Sequence, residues 1–512
     1  MIHDASALPL PLRLKTEVCV IGSGAGGGTA AMAAAEAGRQ VLVLEAGAFV
    51  PPAHMSQREE QMLPRLLYAN GSQTTRDRGV RVHQGRAVGG STVHNINLCK
   101  RIPSPVLAAW RRNRGLSHLP HPTWDALYAE VEALIRVGPV PPEQISRHNR
   151  LLQAGATALG WQAGPLRHNR TGCADSGFCL LGCAYDAKNN VPRVVLPRAV
   201  AAGVEVLSRC RAVRILHRHG AVTGVQAVAL DPWTRRPLGE VTVEAERVLV
   251  AGSATGTPAL LLRSGVPDPS GTTGRHLHIH PALVAAGDFD DPVRAAEGIP
   301  QSIEVTEWLD FEAAHAGGPA PVGTRTWIVP AFAQPMGTAT QLPGFGAAHR
   351  ALMARYDHIA VFTGMVHDGT DGVVRPRGDL GWSVDYWPDE ADRAELTFGL
   401  AACARLLQAA GARRVIIPTD PPTVLQPGDD PDVLKRLPLR RGLLDVTGVH
   451  PMGSVPMGDD PEQAAVDSRG RHHHLRGLWI ADGSIFPTSI GVPPQMSIYA
   501  MGLHVGRDLA GA

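Results

Sequence analysis

The chain has 512 residues, 44% of them hydrophobic and 19% charged, and its 49 basic and 47 acidic side chains leave a formal charge of +2. That length allows two to four domains with a sizeable core. The near-neutral balance excludes a global field that would gather nucleic acid or anionic lipid. No apolar run approaches the ~20 residues of a membrane helix. Seven thinly spread cysteines without a CxxC fit reduced thiols better than a disulfide framework. The first residues lack a basic head followed by an apolar stretch and a small-residue cleavage site, so the expectation is a cytoplasmic enzyme.

Residues 15–46 predict strand, tight turn, Ala-rich helix (Thr29–Ala37) and strand. The turn is a GxGxxG, Gly22-Ser23-Gly24-Ala25-Gly26-Gly27, directly after the apolar Val18–Ile21. In such a turn Gly22 permits the bend, Gly24 lets a pyrophosphate approach the backbone, and Gly27 lets helix and strand pack closely. The second strand ends in Glu45, placed to accept from ribose hydroxyls. Open amides at the helix start suit phosphate. FAD and NAD both remain possible at this point.

A second glycine loop spans Gly85–Thr92. Residues 104–190 read as helix and loop, residues 195–265 as alternating strands followed by a helix starting near Thr257-Pro258. Residues 286–440 mix extended segments with a helix over Asp389–Ala410. The last stretch, 445–512, predicts a loop, a strand running to Asp482-Gly483, and a closing helix, Met496–Leu509; His472–His474 reads as an exposed turn. The expected division is a nucleotide-binding domain from 1–103, 191–285 and 441–512, a helical and loop cap segment over 104–190, and a substrate-binding domain over 286–440.

These motifs carry a resemblance. GSGAGG with Glu45, GRAVGGSTVHN (Gly85–Asn95), GSATGTPALLLRSGV (Gly252–Val266), GRHLHIHP (Gly274–Pro281), HPMGSVPMG (His450–Gly458) and the segment Gly477–Gly502 together resemble the glucose–methanol–choline (GMC) oxidoreductases, a family of FAD-dependent enzymes. One small departure is Pro267, where relatives usually carry glycine. The segment Cys173–Asn190 is similar to a bacterial branch of long-chain alcohol oxidases, choline-dehydrogenase-like flavoproteins and some amino-sugar alcohol oxidases. The implied fold is α/β with an α+β cap: a Rossmann-like FAD domain interleaved with a substrate domain containing an antiparallel sheet.

The resemblance also implies site residues. His450 matches the family's catalytic histidine, and neutral imidazole is a natural base near neutral pH. Relatives usually place asparagine or a second histidine where this chain has Pro493, so the usual pair is broken. His504 lies about three turns along the closing helix, too far to substitute. His94 falls where choline-oxidising members carry a histidine bonded to the flavin; it is either such a link or a ring packed beside the flavin. Arg86, Gly89, Gly90, Ser91 and Asn95 are expected on the cofactor, and Asp482 and Gly483 against its ribityl chain and pyrophosphate. Gln495 and Met496 start the closing helix, whose amides suit the flavin N1–C2 edge. Cys173, Cys179 and Cys183 match no common metal-ligand spacing and are expected in a loop near the flavin, with no metal.

The expected activity is oxidation of a CH–OH group to a carbonyl, with O₂ or another acceptor taking the electrons. A small-molecule alcohol is the expected partner, and no nucleic acid. Trp308, Phe311, Trp327, Phe332 and Trp382 suggest a pocket for an apolar or ring-shaped substrate, while acids in the same region leave an amino-sugar open. The break at Pro493 keeps a non-oxidative enzyme (lyase or decarboxylase) as the alternative, and a flavin-binding protein without turnover as a third.

Overall fold

A computed structural model describes residues 1–316, 318–331 and 334–512. Two sheets organise it. In the first, a parallel set runs Ile2–Asp4, Glu205–Ser208, Val41–Leu44, Leu12–Ile21 and Pro237–Val250, and Leu478–Ile480 joins the last of these. Pro237–Val250 also pairs antiparallel with Ala221–Leu230, which pairs with Cys210–Arg218. The inner parallel strands read as continuous apolar runs because both faces are covered. One cover is the glycine-loop helix Ala25–Glu36 packed on the closing helix Gln495–Gly511.

Among the described residues the second sheet has nine strands. Its order runs Thr423–Leu425, Arg414–Ile417, Pro281–Asp288, Ile359–Val366, Thr326–Pro330, Ile303–Val305 and Ala163–Pro165, with Val446–Gly448 and Val80–Val82 joined at the side. All these pairs are antiparallel except the last. Successive side chains on a strand point to opposite faces. Leu283, Ala285, Ala360 and Phe362 therefore pack with Leu396, Leu400 and Leu407 of the helix Glu390–Ala409, and the alternate residues face the other way. The α/β architecture with an antiparallel second sheet is as the sequence implies. No helix among the described residues is long and apolar enough to cross a membrane.

Two local expectations need correction. The helix foreseen from Thr257-Pro258 begins at Ser253 and carries Pro258 inside it. Asp482, 229 residues away, accepts from the Ser253 amide at 2.8 Å and fixes that earlier start. Pro258 has no N–H for the Ala254 carbonyl, and the Ser454 hydroxyl donates to that carbonyl instead at 2.7 Å. The triplet His472–His474 is not an exposed turn: His472 is buried, its amide donates to the Leu478 carbonyl, and His473 pairs with the Gly458 carbonyl.

Glycine sets how closely the two packed helices approach. A Cβ at Gly506 would stand 2.7 Å from the Ala30 Cα, and one at Gly502 2.6 Å from the Gly26 carbonyl oxygen. Gly506→Val should destabilise the fold by about 1–3 kcal/mol, read as a lowered denaturant midpoint.

Candidate active site

The two sheets enclose a cavity of about 550 Å³. One end is built by the glycine turn. Gly22, at φ +97°, ends its strand beneath the Ala251 carbonyl, where a Cβ would come within 2.3 Å. Cβ atoms at Gly26 and Gly27 would lie 1.6 Å from the Ala481 oxygen and 2.0 Å from the Gly22 oxygen. Gly24 differs: its nearest neighbour would be the Gly90 Cα at 3.8 Å, so its surface is left to the cavity. No side chain caps the helix that starts there, which leaves its amides open for an anion.

Glu45 borders the same end. Its carboxylate accepts from the Ser23 amide and hydroxyl at 3.0 and 2.7 Å and from the Gly47 amide at 2.7 Å. Burial raises its pKa; those hydrogen bonds and the nearby Arg86 oppose the rise. Asp482 likewise accepts from the Ser253 and Ser484 amides and the Thr257 hydroxyl, and burial raises it too.

Gly90, Ser91, His94, Asn95, Gly483, Pro493 and Gln495 continue the wall toward His450. Asn95 donates to Gln495 Oε1 at 2.8 Å, while Gln495 donates to the Leu98 carbonyl at 2.6 Å. His94 has neither ring nitrogen paired, and the Asn95 Oδ1 is unpaired as well. Burial, reinforced by Lys188, pushes His94 down to about 3, so it is a neutral ring. His450 presses against His280, with their Nδ1 atoms 3.0 Å apart, and burial pushes His450 down to about 4.

Gly27, Arg86, Gly89 and Met496 stand off the cavity wall. Gly27 serves the helix–strand approach, Gly89 would strike Pro192 with any side chain, and Met496 is buried in the core. Arg86 lies over the Tyr68 ring instead. His504 is bonded to the Ser468 carbonyl, away from the cavity. The aromatic expectation is largely overturned. Trp308 packs on Trp161 and Phe398, Phe311 on His367, and Trp327 donates to Glu304; none borders the cavity. Phe332 lies outside the described residues.

Trp382 does border it, at the Glu45 end. The hairpin Val373–Arg377 and Gly381–Asp385 crosses over the first sheet's helix Ser253–Arg263. Arg263 donates to the Gly378 and Gly381 carbonyls and Arg211 to that of Leu380, which latches the hairpin down. Trp382 then meets Tyr68 edge-on at 5.0 Å, forming an aromatic corner beside Glu45.

Sequence reasoning missed His280, this latch, and Lys188. His276, His278 and His280 at alternate positions were the available signal for the first. Lys188 is fully buried and donates to the carbonyls of Val93, Asn95 and Cys179, holding the His94 loop from behind; burial lowers it to about 8. Leu180, from the cysteine loop, reaches the cavity. Among the described residues no group of three or more His, Cys, Asp or Glu is placed to hold a metal.

The donor set fits a dinucleotide carrying a flavin: open helix amides, a buried acid at the end of the next strand, an aromatic corner and, at the far end, unpaired His94 and Asn95 atoms. Glu45→Ala should weaken FAD retention about 10- to 100-fold, measured as flavin released on dilution, with far-ultraviolet circular dichroism unchanged.

Comparison with known proteins gives the same direction. The N-terminal GMC oxidoreductase model matches residues 19–282 and the C-terminal one residues 365–502. An uncharacterised GMC-type oxidoreductase of Mycobacterium tuberculosis is 37% identical over 93% of this chain and 72% of its own length. A long-chain-alcohol oxidase of Arabidopsis thaliana is 27% identical over 94% of this chain and 64% of its own. Pyridoxine 4-oxidase from Mesorbium loti shares the fold, with a TM-score of 0.71 at 18% identity over 96% of this chain and 99% of that one.

Proposed function

The chain belongs to the GMC oxidoreductase family, and we propose that it oxidises the CH–OH group of an apolar, long-chain alcohol to a carbonyl. The cofactor is FAD, which when bound supplies the two-electron acceptor for a hydride. His450 is the side chain that meets the reacting oxygen in this reading. It borders the cavity and, with Nδ1 taken up by His280, has Nε2 left for a substrate.

The observation that carries the substrate class is the inner face of the second sheet. Ala282, Val284 and Ala286 stand directly across from Met365, Thr363 and Val361, with Ile416 beside Ala286, and all seven border the cavity. This wall is apolar and made largely of small side chains, which leaves a slot beside the sheet. An amino-sugar's ammonium is best met by a carboxylate with acceptor capacity to spare. The three carboxylates on the cavity wall, Glu45, Glu59 and Asp482, all accept from backbone amides already. The relatives named long-chain-alcohol oxidases support the same class.

Anaerobic addition of straight-chain primary alcohols should bleach the flavin, with the half-saturating concentration falling about fourfold per methylene until the slot is full. Bleaching by amino-sugars or sugars but not by alkanols overturns the substrate class. No bleaching by any alcohol overturns oxidation in favour of a lyase or decarboxylase. Return of the oxidised spectrum on admitting air marks O₂ as the acceptor; a spectrum that stays bleached marks another. Ala286→Phe should shorten the longest alcohol accepted. His450→Ala should keep FAD yet slow flavin reduction about 10²- to 10³-fold.

A further inference from the structure

His450 does not face the cavity alone, because His280 stands behind it. The two rings meet edge to face at 87°, Nδ1 to Nδ1 at 3.0 Å. On its other side, His280 Nε2 receives the Gly491 amide at 3.0 Å. An amide N–H can only donate, so His280 Nε2 presents its lone pair. A neutral imidazole carries one proton, and that of His280 therefore sits on Nδ1. It points at His450 Nδ1, which accepts, and neutral His450 keeps its own proton on Nε2, toward the cavity.

We propose that His280 is a positioning residue that locks His450 in the Nε2–H tautomer, so that His450 meets the reacting oxygen as a hydrogen-bond donor. The inference rests on the reading that His450 meets that oxygen, and it replaces the base expected from the sequence with a group that stabilises an alkoxide. The hydroxyl proton would leave to water and the His450 Nε2–H would bond the resulting oxyanion, while the carbinol C–H bond would break with its electron pair going, as hydride, to a bound flavin as the carbonyl closes. Preformed donors aimed at developing negative charge are effective in such buried sites.

The surroundings hold this arrangement in place. The opposite tautomer would turn His280 Nε2–H against the Gly491 N–H, donor against donor in a buried site. His280 itself sits at φ +49°, a left-handed conformation uncommon for a residue with a Cβ. Asp368 supports it by accepting from the Ile279 and His280 amides at 3.1 and 3.2 Å, and it takes the Tyr386 hydroxyl at 2.8 Å. The ionisable groups facing the pair are Asp368, which favours charge on both rings, and His278 and His367, which disfavour it on His280. His278 lies 3.7 Å from Asp368, and His367 is bonded to the Ser489 carbonyl. Burial outweighs Asp368, pushing His450 to about 4 and His280 well below its ordinary value, so both rings are neutral at pH 7.

The tautomer can be read directly. In holoenzyme labelled with ¹⁵N-histidine, with the His450 signals identified by their loss in His450→Gln, Nε2 should be the protonated nitrogen and Nδ1 the bare one. A bare Nε2 overturns the proposal whatever the substrate proves to be, so its failure is separable from failure of the alcohol reading. Kinetics supply the second measurement. With a donor at His450, flavin reduction by an alcohol should rise about tenfold per pH unit through neutrality as alkoxide forms. With a base that is already deprotonated, the rate should be level there, and a level wild-type profile overturns the proposal. His280→Leu frees either tautomer, so its profile should flatten; if that variant fails to fold, the wild-type spectrum and profile still decide.

Discussion

Backbone-to-backbone contact around Gly22 is the constraint on which the rest depends. Ala251 and Ala481 bring their carbonyl oxygens to positions that a methyl group on Gly22 or Gly26 would occupy, and Gly502 brings the closing helix against the same turn. Three stretches far apart in sequence thus share one small volume. Because they meet there, Asp482 can reach Ser253 and Thr257, and the strand ends of the first sheet arrive at one edge of the cavity. A side chain at any of these glycines would push apart the segments that make the nucleotide end of the site.

What the sequence reveals follows how local the physics is. The GxGxxG turn and Glu45 are legible because their requirements, positive φ, a bare helix start and an acid at the next strand end, are met within one strand–helix–strand unit. His450 and Asn95 are legible only through family resemblance. His280 escapes because its significance arises from a partner 170 residues later and from the amide of Gly491. Trp382 misleads for a related reason. Its neighbours in sequence belong to the second sheet, yet the hairpin that carries it reaches back across the first, so composition assigns it to the wrong end of the cavity. Met496 shows the opposite error: it sits at the right helix start but on the core-facing side.

The break at Pro493 has a physical reading in this architecture. Proline borders the cavity without offering a donor or acceptor, while the adjoining Gly491 amide is directed at His280. The loop before the closing helix therefore reaches His450 through a backbone N–H and the His280 ring, and in the proposed reading it acts on the reacting oxygen by that route and not through the side chain at position 493. Asp368, held by two amides and a phenol, anchors that whole assembly to the second sheet.

The pleat of Pro281–Asp288 separates two kinds of constraint. Leu283 and Ala285 face the helix Glu390–Ala409, whereas Ala282, Val284 and Ala286 border the slot, Ala282 also packing with Trp327 and Met365 and Ala286 with Leu342 and Ile416. A change at one of the latter alters the shape of the slot without reaching the packing against the helix, so the room offered to a ligand is set separately from the seam that holds sheet and helix together.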